Sequence, residues 1–191
     1  MRYAPEHKAE THRKIVKDAA RRVRAEGITG AAVSAVMRDA GLTTGGFYKH
    51  FENKDELLIE SLSEAFREIA ARLAQVAESS RPETAWKAIV KIYLSPEHCD
   101  HVECGCPLAA LAPELARADQ AMKGKILGEM TQYKNRMLPF MPGRRTADKE
   151  RAFFIIFSTM LGAVGMARII PDQAARTSIL TSARDFLLRS F

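Results

Sequence analysis

Within nine residues, "HCDHVECGC" (98–106), the chain holds His98, Cys99, His101, Cys104 and Cys106. Imidazole and thiolate at close quarters suit Zn²⁺ or Cu⁺, although these spacings are not those of a zinc ribbon or finger. A second chemistry needs only one thiol. Cys106 stands directly before Pro107 at the expected start of a helix, where the dipole lowers a thiol pKa and favours the reactive thiolate. A third reading needs no reactivity: a buried cysteine in an ordinary loop behaves as a small hydrophobe. The residue types leave all three open, and Cys106 is the thiol on which the second depends.

Another cluster has a different character. "GLTTGGFYKHFENKDEL" (41–57) sets Gly45 and Gly46 directly before Phe47, Tyr48, Lys49, His50 and Phe51. Glycine inside a helix costs roughly 1 kcal/mol relative to alanine. Two together mark either a flexible loop or a place where something comes close to the backbone. Tyr48, Lys49 and His50 can hydrogen-bond phosphates or base edges, while Phe47 and Phe51, four apart, can pack inward as core. Charge points the same way. Residues 1–54 hold 11 Lys/Arg against 6 Asp/Glu, whereas the remaining 137 hold 18 against 17. Nearly all of the net charge of +6 therefore sits in the first quarter, the footprint of a polyanion-binding end on a neutral body.

The elements around these clusters read as helices throughout. Ala, Leu, Glu, Arg and Lys abound, and alternating β-branched runs are missing, so the fold class is all-α. Ile15, Ala19, Ala20 and Val23 form one stripe of a helix over 10–26, which Gly27 stops. Short helices fit 33–40 and 43–50 around a tight turn at Gly41, with Thr43 or Thr44 as N-cap of the second. Asn53 caps a long helix over 54–79, and further helices fit 82–94, 107–117, 119–138, 147–169 and 172–189. A boundary near 50–54 separates a three-helix head (1–53) from a six-helix body (54–191).

Two short helices joined by a glycine turn are the pattern of a helix-turn-helix, whose second member enters the DNA major groove. The stretch "IVKDAARRVRAEG…VSAVMRDAGLTTGGFYKHFENKDELL" resembles the DNA-binding head of the TetR family of transcriptional regulators. The likeness covers residues 11 to about 60 and rests on the Ala-Ala of the first helix, Gly27, Ala40-Gly41, Tyr48, His50-Phe51 and Lys54. Gly45 matches a glycine common in relatives, and Gly46 departs from a larger residue there. The resemblance implies a homodimeric regulator, a repressor that a small-molecule or thiol-reactive effector releases from duplex operator DNA. Expected DNA contacts are Arg13, Lys14, Arg38, Thr43, Thr44, Gly45, Tyr48, Lys49, His50 and Lys54, the last beside free backbone N–H groups at a helix start. Arg2, His7 and Lys8 form a basic N-terminal arm; Arg21, Arg22 and Arg24 are read as a solvated face.

Such bodies bind an effector between helices and dimerise through their last two. Trp86, Tyr93, Cys106, Met130, Tyr133, Met137, Phe153 and Phe157, with Met160, are the expected effector contacts, though aromatic and Met residues at helical spacing also build cores. Some TetR-like repressors that respond to electrophiles carry a Gly-Cys at a helix start, like Gly105-Cys106. Ser158, Gly162 and Gly165 on the penultimate helix, with Leu180, Ala183 and Leu187 on the last, are the expected dimer seam. No Walker loop, dinucleotide fingerprint, nucleophile elbow or HExxH is present, so no enzyme and no cofactor are expected. No membrane partner is expected either: the N-terminus lacks an apolar signal core, and a cytoplasmic location with reduced thiols follows. The alternative is a metal-binding or helix-bundle interaction module using His98, Cys99, His101 and Cys104.

Overall fold

The computed structural model describes residues 3–30 and 32–191; Arg2 of the basic arm lies outside them. Helices account for nearly all of the described chain, and the order is α1 (Tyr3–Gly30), α2 (Val33–Asp39), a 3₁₀ segment (Thr44–Lys49), α3 (Lys54–Glu78), α4 (Ala85–Tyr93), α5 (Pro96–Asp100), α6 (Pro107–Leu115), α7 (Gln120–Met137), α8 (Thr146–Ile169) and α9 (Gln173–Ser190). No strand occurs among the described residues.

Most boundaries fall where the capping chemistry predicts. The side chain of Asn53 accepts the Glu56 N–H at 2.9 Å and starts α3. At the end of α2, Gly41 adopts φ +77°. Its N–H donates to the Arg38 carbonyl at 2.9 Å, and that of Leu42 to the Met37 carbonyl at 2.8 Å. That is a helix stop only glycine takes without strain.

Three expectations need correction. The segment after the turn is a 3₁₀ helix over 44–49, not an α-helix to residue 50; it is short and carries two poor helix formers, so i→i+3 bonds suffice. The stretch 95–106 is no open loop but holds α5 and a further 3₁₀ turn, Val102–Cys104. Gly27 bends α1 rather than ending it, with φ 80° and ψ 175°. The Ile28 N–H just beyond the bend donates to the Glu114 carboxylate at 2.8 Å, which ties α1 to α6.

Three apolar clusters hold the molecule together. One joins Ile15, Val36, Met37, Phe47 and Phe51 in the head. A second is a junction of Val23, Leu62, Leu111, Leu115 and Ile126 from α1, α3, α6 and α7. The third and largest packs α3, α4, α8 and α9 around Tyr93, Ile156 and Met160. Arg24, expected on a solvated face, is 2% exposed and pairs with Glu68 at 2.7 Å inside the α1–α3 contact. Arg22 is half-buried and bonds Asp39 and Glu26. The stripe bearing Ile15 and Ala19 turns these arginines toward α2 and α3, so only Arg21 of the three is exposed.

Helix α8 is long and apolar enough to cross a membrane by length and composition, yet Ala152, Ile156, Met160, Val164 and Ala167 pack into the largest cluster. Its other face leaves Phe154, Ile155, Met166 and Ile169 exposed, and Phe186 of α9 is exposed as well.

Candidate nucleic-acid interface and effector cavity

The head builds a rigid support from Phe47 and Phe51, each 2% exposed and stacked at 5.3 Å. His12 of α1 stacks on Phe51 at 4.6 Å while bonding Glu60 of α3 at 2.6 Å. Between these buried residues, Tyr48 projects with 77% exposure, and Lys49, Thr43, Thr44 and Gly45 are exposed beside it. Thr43 is the N-cap of the 3₁₀ segment in position only, since its hydroxyl makes no capping bond.

Neither neighbouring glycine is demanded by the chain itself. Both lie outside the left-handed region. A Cβ on Gly45 would meet nothing within 4 Å, and one on Gly46 only Met37 Cε at 3.6 Å and the Thr43 hydroxyl at 3.8 Å, both ordinary contacts. The missing side chains therefore lower the backbone's profile toward whatever lies outside.

Arg13, Lys14, Arg38 and Lys54 are all exposed. Lys14 Nζ also donates to the Ala40 carbonyl at 3.3 Å, bracing α1 against the end of α2. The start of α3 is less open than expected: Asn53 occupies the Glu56 N–H, and Asp55 and Glu56 bring negative charge to the first turn. Lys54 stands there as a cation on its own ammonium. His50 is partly buried, its Nδ1 unpartnered within the protein. Burial foremost, then His12, Lys8 and Lys49, lower its pKa and favour the neutral ring. It leans against His12, ring centroids 6.0 Å apart.

In the body, a cavity of about 390 Å³ opens between α4, α6, α7 and α8. Tyr93, Cys106, Met130, Tyr133, Phe153 and Phe157 all line it. Trp86 and Met137 do not. They continue the Tyr93 and Tyr133 stripes of α4 and α7, by two turns and one turn, into closed core, where Trp86 meets Phe191 at 6.0 Å and Met137 is fully buried. Met160 is core as well. The sequence reading missed Leu108, Leu127, Thr131, Lys134, Phe154 and Leu161, which line it as well. The signal was available: Leu127, Met130, Thr131 and Lys134 follow helical spacing along one face of α7.

The cavity is aromatic on one side, with Tyr133 edge-on to Phe157 at 5.4 Å and Phe153 against Phe157 at 4.5 Å. Lys134 at the rim is neutralised by Glu150 at 2.6 Å. Tyr133 also lines a charged cleft of about 490 Å³ between α1, α3 and α7, so its ring divides the two spaces.

The Cys/His stretch is tied down by hydrogen bonds that leave no ring nitrogen of His98 free for a metal. His98 Nδ1 lies 2.6 Å from the Tyr93 carbonyl, and its Nε2 accepts the Cys106 N–H at 3.2 Å. Both ring nitrogens are thus committed, and burial holds the pKa down to about 4, so the ring is neutral. Arg168 donates to the carbonyls of Cys99 at 3.0 Å and His98 at 3.2 Å, and Arg72 to that of Cys104 at 3.1 Å. Cys99 is buried, and His101 points outward to Glu103. No three His, Cys, Asp or Glu gather at a metal-binding distance among the described residues. Gly105 is small for a reason, since a Cβ there would come within 3.0 Å of Arg168.

The expected dimer seam divides in two. Ser158 and Gly162 are exposed and Gly165 partly so, whereas Leu180 and Leu187 are buried and partly buried Ala183 packs against the same core. The α9 stripe closes the chain's own core, and the outward stripe is the one that carries Phe186. Ser158 also lines the cavity.

Residues 15–60 match the family described as "Bacterial regulatory proteins, tetR family". No curated protein matches the chain. Among solved structures, a TetR transcriptional regulator from Chloroflexus aurantiacus J-10-FL is similar, with a TM-score of 0.77 at 22% identity over 96% of this chain and 95% of that one. The reduced form of E. coli NemR gives 0.73 at 16% identity, over 94% and 96% of the two chains. FadR from Bacillus subtilis in complex with stearoyl-CoA gives 0.68 at 18% identity, over 94% and 98%. The sequence of residues 15–60 thus matches the tetR family, and the fold along the rest of the chain is the one these solved regulators have.

Proposed function

We propose that the protein is a cytoplasmic, homodimeric repressor that leaves its operator when an effector fills the cavity beside Cys106. The head, residues 1–53, reads DNA through Tyr48, Lys49 and the low backbone at Gly45, with Arg13, Lys14, Arg38 and Lys54 on phosphates. The body, residues 54–191, senses and dimerises. Pairing through the exposed faces of α8 and α9 would set two recognition segments about one DNA turn, roughly 34 Å, apart. A near-complete switch asks the effector to prefer the released state by about 5.5 kcal/mol.

The observation that carries this reading is that Cys106 is only 2% exposed, yet it lines a cavity large enough for a small molecule. A thiol so placed meets whatever enters the cavity before it meets bulk solvent, so ligand sensing and thiol sensing become one site. Because the similar NemR structure is of a reduced form, redox state is controlled in the test. Operator release by a small thiol-reactive maleimide is measured for the wild type and for Cys106→Ser, under reducing conditions and without added metal. Release by the wild type with retention by the variant is the expected result. Equal behaviour of the two proteins removes Cys106 from sensing and leaves a non-covalent effector.

A further inference from the structure

The cleft of about 490 Å³ between α1, α3 and α7 lies on the other side of Tyr133 from the effector cavity, and its charges do not balance. Four cations line it: Arg13 and Lys17 from α1, Arg67 from α3 and Arg136 from α7. Three carboxylates line it too, and each is already engaged. Glu60 lies 2.6 Å from His12, Glu64 holds Arg67 at 2.5 Å, and Glu129 accepts the Ser63 hydroxyl at 2.7 Å. Arg13, Lys17 and Arg136 are exposed and form no ion pair among the described residues.

Helix geometry gathers these cations. Arg13 and Lys17, four residues apart, share one face of α1, and Arg136 stands on the α7 wall of the same cleft. Among them Val16, Phe66 and Ala70, all buried, supply an apolar floor. Like charges on two walls repel, and an anion lodged between them replaces that repulsion with attraction. Because the cations come from two helices, the anion must offer charge at more than one point. A carboxylate has one charge and two oxygens. A phosphoryl group has about two charges and three acceptor oxygens, which the planar arginine fork meets bidentately.

We propose that this cleft binds a small phosphoanhydride anion, a diphosphate either free or carried on a nucleoside, held by Arg13 and Lys17 on one wall and Arg136 on the other. The site is separate from the effector cavity, and its occupancy does not depend on the function proposed above. The bound anion ties α1 to α7. A nucleoside would also cover the apolar floor, which free pyrophosphate leaves bare.

The test uses four anions: pyrophosphate, ADP, orthophosphate and citrate. Their binding to the full-length protein is measured by calorimetry at one ionic strength, which fixes the screening of exposed charges, without divalent metal or phosphate buffer. Pyrophosphate and ADP should bind, with orthophosphate and citrate at least about tenfold weaker. Arg136→Gln and Lys17→Gln should each weaken the diphosphates by about tenfold. Arg13 is spared because it is also a proposed DNA contact. Arg144→Gln removes an exposed charge outside the cleft, in the turn between α7 and α8, and should change nothing. All three substitutions are at exposed positions, where folding is retained, and the ranking of anions on the wild type needs no variant.

Tighter binding of ADP than of pyrophosphate supports the site with a nucleotide as its source. Pyrophosphate bound as tightly or more so supports it with the inorganic anion. If neither diphosphate binds, the site is wrong. If citrate matches pyrophosphate, or Arg144→Gln loses as much as Arg136→Gln, the cleft is only part of a diffuse positive field and the proposal is overturned.

Discussion

At the scale of single residues, the loop around Cys106 is governed by His98. Its ring is neutral because burial lowers its pKa from 6.5 to about 4, and both nitrogens depend on that neutrality, one donating to Tyr93 and one accepting from Cys106. Protonation would leave Nε2 facing an N–H as a second donor. The folded-state pKa is depressed, so the stabilising contribution is present above about pH 6.5 and is lost as pH falls toward 4. Its size is on the order of 3 kcal/mol. Urea unfolding at about pH 7.5 and about pH 4.5 should show a larger acid-induced loss for the wild type than for His98→Gln. Equal losses would mean that the acid sensitivity belongs to other groups. None of this was legible in "HCDHVECGC", where the same histidine reads as a metal ligand: composition gives donor types, but whether a ring nitrogen is already spent depends on how the chain folds back between Tyr93 and Cys106. Six cavity residues, by contrast, were legible, because Tyr93, Met130, Tyr133, Phe153, Phe157 and Cys106 lie where amphipathic stripes of different helices converge.

At the scale of elements, the recognition segment separates two uses of glycine. Gly41 is conformational, with φ +77°, and alanine there should cost about 1 kcal/mol or more in stability. Gly45 has no such constraint and open space where a Cβ would stand. Gly45→Ala should therefore leave stability within about 0.5 kcal/mol of the wild type, while operator affinity, followed by fluorescence anisotropy, falls. An unchanged affinity would mean that the backbone does not approach DNA at this point. The helix ends were readable from Asn53 and Gly41 because capping is local chemistry. The burial of Arg24 was not, since it depends on the face that α3 presents to the head.

At the scale of the whole molecule, the outward face of α8 and α9 calls for a partner. Phe154, Met166 and Ile169 on α8 and Phe186 on α9 are each more than half exposed, a grouping that isolated soluble chains seldom leave uncovered. Phe186→Arg should yield a folded monomer in sedimentation analysis, with operator affinity lowered at least about tenfold by loss of the linked second head. Leu187→Arg, one residue away but fully buried, should instead fail to fold. A dimeric Phe186→Arg protein would exclude this face. The head and the sensing cavity are also joined along a much shorter line than the long helix α3. Helix α6 starts at the Cys106 cap and carries Glu114 near its far end, and Glu114 grips the Ile28 N–H where α1 bends at Gly27. With nine residues at a rise of 1.5 Å each, α6 is a strut of about 13 Å. On the function proposed above, its carboxylate would be a latch on the DNA-reading end, so strengthening or slackening that one contact would tune how loudly the cavity is heard without altering what it binds.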